Sequence, residues 1–249
     1  MTNLEVYLPC YNEQDNIGEL VRSWMSHTDS LKDLGYDLSV FCIDDCSTDA
    51  TKSVIEGLAQ EYASVHLVSH EKNMGLVGGL NTAITLFAAK DEDPSYMVLM
   101  DGDNTHDPKY IFPMIAKMHE GFDCVIASRY CGESKVIGLA RFRILLSDLA
   151  RYYYKLILRI PGVEDYTCGY RIYSHASITR LVECFGPQPI KETSFACMME
   201  FLYRIHQTGS KCGEVGFQLR YDKKLGSSKM SVLHTMIRSL IVAPRLKRK

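Results

Sequence analysis

Tyr96-Met97-Val98-Leu99-Met100 is an apolar run that stops at Asp101-Gly102-Asp103 and continues as Asn104-Thr105-His106-Asp107-Pro108. A short apolar run bounded by turn-forming residues predicts a strand buried on both faces, here delivering two carboxylates at its end. The same pattern recurs on either side. Upstream, Val6–Leu8 runs into Pro9-Cys10-Tyr11-Asn12-Glu13, Leu38–Ile43 runs into Asp44-Asp45, and Val65–Val68 makes a further strand. Downstream, Cys124–Ala127 runs into Ser128-Arg129-Tyr130. Helical periodicity fills the intervals: 16–26 with Ile17, Leu20, Val21 and Trp24, a stretch capped by Thr48 or Asp49 with Val54, Ile55 and Leu58, then 76–89 and 110–119. Strands alternating with helices predict an α/β fold, a mostly parallel central sheet flanked by helices. Ligands of such sheets bind beyond the carboxyl ends of the strands, where these polar residues fall.

The 249 residues are 46% hydrophobic and 23% charged, which sets aside disordered and collagen-like chains. The formal net charge of −2 hides a polarised chain: residues 1–128 hold 7 Lys+Arg against 21 Asp+Glu, and residues 129–249 hold 21 against 9. One half is suited to cations and the other to something anionic. No apolar run is long enough to span a bilayer as a helix. The opening MTNLEVYLPCYNEQDN lacks the basic and apolar regions of a signal peptide, so a cytoplasmic location, or the cytosolic face of a membrane, is expected. The nine cysteines include no Cys-x-x-Cys pair and read as small core hydrophobes.

The second half is less regular. Residues 141–160 read as an amphipathic helix whose stripe (Ile144, Leu145, Leu149, Tyr152, Tyr153, Leu156, Ile157) is surrounded by Arg141, Arg143, Arg151, Lys155 and Arg159. Packing on the sheet and facing a membrane are both open to it. Glu200, alone in Met198-Met199-Glu200-Phe201-Leu202, is either a buried hydrogen-bonded group or a contact to a sugar or an arginine. Residues 211–249 hold 10 basic residues against 2 acidic. The simplest parse is one domain over 1–232 and a basic amphipathic segment over 233–249, in which Ile237, Leu240, Ile241 and the closing Arg-Leu-Lys-Arg-Lys suit a headgroup layer.

Two carboxylates two residues apart at a strand end can share a hard divalent cation, and Gly102 lets the backbone turn between them. Mg²⁺ binds in this way, through one or two carboxylates plus substrate phosphates. Asp44-Asp45 offers acceptors to a base edge or a ribose hydroxyl. Gly75 and Gly78-Gly79 open a helix and fit close approach to a ligand or close helix–strand packing equally well.

Taken together the motifs are specific. Leu8-Pro9-Cys10-Tyr11-Asn12-Glu13 resembles the opening signature of family 2 inverting glycosyltransferases. Asp44-Asp45-Cys46-Ser47-Thr48-Asp49-Ala50-Thr51, Asn73-Met74-Gly75-Leu76-Val77-Gly78 and Asp101-Gly102-Asp103 resemble the motifs that follow it. Ser128-Arg129-Tyr130, Asp165-Tyr166-Thr167-Cys168-Gly169-Tyr170-Arg171 and Gly226-Ser227-Ser228-Lys229 are similar to motifs of the dolichyl- and polyprenyl-phosphate sugar transferases, typified by mannosyltransferases. The order holds over nearly the whole chain.

The resemblance implies a GT-A fold over 1–232 and inverting transfer of a sugar, mannose foremost, from a nucleotide-diphosphate sugar such as GDP-mannose to a polyprenyl or dolichyl phosphate. It implies that Pro9, Tyr11, Glu13, Asp44 and Gly75 border the nucleotide. Asp101, Asp103 and Thr105 would hold Mg²⁺ or Mn²⁺, with Asp101 and Gly102 bordering the diphosphate. Arg129, Arg143 and Ser147 would receive the lipid phosphate, and Lys223 and Lys229 would contact the donor phosphates. Two positions depart from the pattern. Thr105 stands where the mannosyltransferases carry a Gln beside the metal, and Lys223 stands where Arg is expected, without the bidentate fork. An alternative keeps the family and moves the sugar onto a glycan or protein. A nucleotide-sensing module would make the metal carboxylates dispensable, and a nucleic-acid partner is disfavoured because the acidic half repels a polyanion. Membrane contact is expected through the basic segment or through a small membrane-anchoring subunit.

Overall fold

The computed structural model describes residues 1–90, 94–138, 141–223 and 232–247; Lys229 lies outside them, as do the side chains of Arg143 and Lys223. In chain order the elements are β1 (Thr2–Cys10), α1 (Ile17–Met25), α2 (Thr28–Asp33), β2 (Tyr36–Asp44), α3 (Thr51–Glu61), β3 (Val65–Ser69), α4 (Gly75–Ala88) and β4 (Ser95–Leu99). There follow α5 (Ile111–His119), β5 (Cys124–Ser128), β6 (Lys135–Ile137), α6 (Arg141–Leu158), β7 (Arg171–Ser174) and α7 (His175–Phe185). The last are α8 (Cys197–Gln207), β8 (Cys212–Gly216), β9 (Gln218–Arg220) and α9 (Val232–Lys247).

Seven strands form one sheet in the order β3-β2-β1-β4-β7-β5-β8, and β6 pairs with β9 apart from it. The central strands are apolar on both faces because helices cover both: Leu4, Val6, Tyr7 and Leu8 of β1 are fully buried, as are Met97 and Val98 of β4. Strands β1, β2, β3 and β4 run parallel, in a register that sets Cys10 opposite Asp44 and Tyr7 opposite Leu99. Their carboxyl ends therefore meet at one edge. β7 is antiparallel to both β4 and β5, so β5 runs with β4, and it is the start of β7 that reaches the same edge. Four residues are too few for a readable alternation, and the sequence pattern gives no sign of β7.

Helices α4 and α7 pack on each other, and α5 covers β5, β7 and β8. Trp24 of α1 meets Tyr170 edge-on at 6.3 Å, fixing the segment that enters β7. α9 lies on α6 and α8, with the Tyr153 hydroxyl donating to the Leu240 carbonyl at 2.7 Å and with Val242, Ala243 and Leu246 buried. No described helix is long and apolar enough to cross a membrane.

Candidate active site

Three neighbouring strands, β2, β1 and β4, each leave the sheet through a non-glycine residue in the left-handed region: Cys46 (φ 59°), Asn12 (φ 53°) and Asn104 (φ 58°). Each such residue costs on the order of 1 kcal/mol and is held by its surroundings. At β1 and β2 the surroundings are visible. The Asn12 N–H donates to Ser47 Oγ at 2.9 Å, and Asn12 Oδ1 accepts the Thr48 N–H at 2.8 Å. The Glu13 N–H donates to Thr51 Oγ1 at 2.7 Å, and Gln14 Oε1 accepts the Ala50 N–H at 2.8 Å. The first two motifs thus form one hydrogen-bonded rim, with Tyr11 exposed on it and Glu13 Oε2 accepting Asn16 Nδ2 at 2.8 Å.

The adjacent acids separate. Asp44 is buried at the end of β2, with Oδ1 accepting the Ser47 N–H at 3.3 Å. Asp45 turns to the start of α4: Oδ1 accepts the Met74 N–H at 2.8 Å, Oδ2 accepts the Gly75 N–H at 2.7 Å, and His70 Nδ1 stands 2.7 Å from Oδ1. A carboxylate is well placed at a helix N-terminus, and this one fixes the helix to the sheet. The Gly75 N–H is therefore committed within the protein. Gly79 serves packing, since a Cβ there would stand 2.8 Å from Pro9 Cβ, whereas Gly75 has open space around it and a φ of 70°.

At the end of β4 the pair Asp101 and Asp103 is supported from several sides. A Cβ on Gly102 would come within 2.9 Å of Cys10 Sγ, so this turn presses against the end of β1. Asp103 Oδ1 accepts both the Thr105 hydroxyl, at 2.7 Å, and the Thr105 N–H, at 3.2 Å. Thr105 is buried, and His106 stands behind it with Nδ1 3.1 Å from the hydroxyl and its ring stacked on Phe217. Asp101 lies against the α-carbon of Gly169, where a Cβ would be 2.8 Å from both carboxylate oxygens. The glycine of the Asp165–Arg171 motif leaves room for the first aspartate of the pair. The donor set fits a hard divalent cation: two carboxylates at one turn, one oriented by a hydroxyl. Among the described residues no group of three or more His, Cys, Asp and Glu side chains is placed to hold a metal ion.

The same edge gathers the basic residues. The Arg129 guanidinium forks onto Asp165, Nε to Oδ2 and Nη2 to Oδ1, both at 2.7 Å, and Nη2 also donates to Thr167 Oγ1 at 2.7 Å. Asp165 is fully buried and also accepts the N–H groups of Arg129, Thr167 and Cys168. Burial alone would raise its pKa, but the Arg129 charge and these hydrogen bonds outweigh it and hold the carboxyl below its ordinary value. Glu214, on β8, accepts the N–H groups of Glu164 and Asp165 through Oε1, and burial raises its pKa. Ser147 on α6 meets the Tyr130 hydroxyl at 2.6 Å, so α6 is tied to the Ser128-Arg129-Tyr130 turn. Arg143 lies one helical turn before Ser147. Lys223 sits in a short 3-10 turn after β9.

Glu200 is structural. Its Oε2 accepts the N–H groups of Lys191 and Glu192, and its Oε1 accepts Arg204 Nε and Nη2. The sequence pattern did not assign the Arg129–Asp165 fork, the Glu214 support or the clamp made by Asp45. The spacing of Asp165 and Thr167 was visible, but their partner stands 36 residues away from Asp165 and only the fold brings it near.

The chain is similar to several known proteins. The chain is 25% identical over 227 residues to polyprenol monophosphomannose synthase of Mycolicibacterium smegmatis, covering 91% of this chain and 80% of that protein. It is 30% identical over 228 residues to dolichol-phosphate mannosyltransferase of Pyrococcus furiosus, covering 89% of this chain but spanning only 59% of that protein's length. Among solved structures, glucosyl-3-phosphoglycerate synthase of Mycobacterium tuberculosis, in complex with Mn²⁺ and UDP-glucose, superposes with a TM-score of 0.66 at 19% identity, over 99% of this chain and 79% of that one. Residues 5–181, which run from β1 through the carboxylate pair and the Arg129–Asp165 fork into α7, match the description Glycosyl transferase family 2, and the chain belongs to that family of glycosyltransferases.

Proposed function

We propose that the chain transfers mannose, with inversion, from GDP-mannose to a polyprenyl or dolichyl phosphate, working peripherally on the cytosolic face of a membrane. The observation that carries this reading is the junction of the two halves of the site. Gly169 packs on Asp101, while the same motif holds Arg129 through Asp165, so a donor diphosphate and an anionic acceptor are served within one turn of chain. The names of the two mannosyl-transferring relatives support the sugar and the lipid phosphate.

Asp44 and the rim at Pro9, Tyr11 and Glu13 border the nucleoside. Asp101 and Asp103 would hold Mg²⁺ or Mn²⁺, with Thr105 orienting Asp103 through its hydroxyl. A divalent ion bound there supplies positive charge against the diphosphate as it departs. Arg129 is held rigidly by Asp165, and with Arg143 and Ser147 it positions the acceptor phosphate. That phosphate is already anionic near neutral pH, so attack requires placement more than a strong general base. Lys223 and Lys229 add charge on the donor side.

The test is incubation of the purified chain with GDP-mannose or UDP-glucose, polyprenyl phosphate, and Mg²⁺ or Mn²⁺. Mannosyl-phospho-polyprenol is the expected product, and Asp103→Ala abolishes it. Transfer only to glycan or protein acceptors, or full activity in Asp103→Ala, overturns the proposal.

A further inference from the structure

Among the described side chains of α6, five large apolar ones stand well exposed. Phe142, Leu145, Leu149, Tyr152 and Leu156 are each 56 to 69% exposed. Their spacing of three and four residues places them on one ridge about 21 Å long at 1.5 Å per residue. The opposite face does the packing, with Tyr154 and Leu158 buried and Ser147 bonded to Tyr130. A ridge of this size on a soluble surface marks a docking site.

We infer that this ridge seats the protein on an anionic lipid surface, with α6 lying in the plane of the headgroups. Three features select that occupant. Leu240 and Ile241 of α9 are also exposed, and α9 joins α6 through the Tyr153–Leu240 hydrogen bond, so two adjoining helices carry exposed apolar side chains. Tyr152 has the apolar body and polar tip that suit a headgroup boundary. Within α6 and α9 there are seven basic residues (Arg141, Arg143, Arg151, Lys155, Arg238, Arg245, Lys247) against one acidic residue, Asp148. Of these, Arg151 and Lys155 pair with Glu164 and Arg238 pairs with Glu192. The net charge of the two helices complements anionic headgroups. The choice of a lipid surface rests on the proposed lipid acceptor, because the helix that docks is also the helix carrying Ser147 and Arg143. Seating α6 keeps that site within one helix diameter, roughly 10 Å, of the lipid surface.

The experiment is co-sedimentation of the whole chain with phosphatidylcholine vesicles, with and without phosphatidylglycerol. The wild type should sediment with the anionic vesicles. Leu145→Gln/Leu149→Gln removes only exposed side chains and should lower partitioning about tenfold or more, while the equally exposed but remote Leu34→Gln leaves it unchanged. Equal partitioning of the double variant, or no binding by the wild type, overturns the inference. So does light scattering that shows a wild-type dimer dispersed by the same substitutions, since a second copy would then occupy the ridge. Transfer to a short, water-soluble prenyl phosphate reads the activity separately, and the double variant should retain it. A wild type that binds vesicles but mannosylates no lipid phosphate refutes the proposed activity and leaves the docking intact.

Discussion

Gly169→Ala isolates the role of Asp101 with one methyl group. The added Cβ would stand 2.8 Å from both carboxylate oxygens and 3.0 Å from Cγ. Ordinary contact begins at about 3.4 Å, so the carboxylate must retreat by roughly 0.6 Å. Gly169 has no positive φ, and the obstructing group is the tip of a side chain, so the fold can absorb the change. The strain should cost about 1 kcal/mol, a fall of about 2–4 °C in melting temperature for a chain of this size. The effect on transfer should be much larger. A misplacement of about 1 Å costs on the order of a hundredfold in rate, so a loss of about tenfold to a hundredfold in kcat is expected. The half-saturating Mn²⁺ concentration should rise with it. The assay is the initial rate of mannose transfer across a metal titration, alongside thermal unfolding. Wild-type rate and metal dependence in Gly169→Ala would refute the placement of the metal at Asp101.

Asp165→Asn leaves Arg129 buried without its counter-charge, a loss of about 3 kcal/mol that should lower the melting temperature by about 6–12 °C and raise KM for the lipid phosphate; unchanged unfolding would show that the fork contributes little. The same pair predicts acid sensitivity. Because the folded state holds the Asp165 pKa below its unfolded value of about 3.9, the stabilisation is present above about pH 4 and disappears as pH falls through the lower folded value. Denaturant midpoints should therefore drop more steeply below about pH 4 in the wild type than in Asp165→Asn, and parallel curves would contradict the assignment. Arg143→Ala should weaken the lipid acceptor far more than GDP-mannose, and equal losses in both KM values would remove Arg143 from the acceptor side.

The sheet's first half was legible because βαβ units write themselves locally: an apolar run, a polar stop, a helical stripe. Val98 and Leu99 announce a buried strand within five residues, and Asp101 follows at its carboxyl end, the side on which ligands of such sheets bind. The second half resists this reading because its strands are short and its pairings distant. Arg171–Ser174 has no period to detect, yet it is an interior strand of the sheet, between β4 and β5. The site divides similarly. Asp101, Asp103, Asp44 and Arg129 were visible as residue types at strand ends. That Asp45 serves α4, that Thr105 donates to Asp103, and that Asp165 holds Arg129 depend on side-chain directions, which sequence spacing does not encode. The helix over 141–158 was legible as amphipathic, but its periodicity could not say which stripe faces outward. Packing against α9 and the Tyr130 turn decides that.

The reversed strand inside the sheet also dictates an order of assembly. β1 to β4 can pair as soon as residue 99 is made, since each finds at least one neighbour among strands already present. β5 cannot. Its two neighbours are β7 and β8, so Val125 and Ile126, both fully buried in the finished protein, wait at least until residue 171 and the far edge until residue 212. A nascent chain of about 130 residues therefore carries an unpaired β4 edge and an orphan apolar strand, a species open to mispairing. The segment that closes this gap also contains the glycine against Asp101 and the acid that grips Arg129. The gap inside the sheet is thus closed, and the candidate active-site edge supported, by one stretch of chain, and a chain truncated before residue 165 would lack both together.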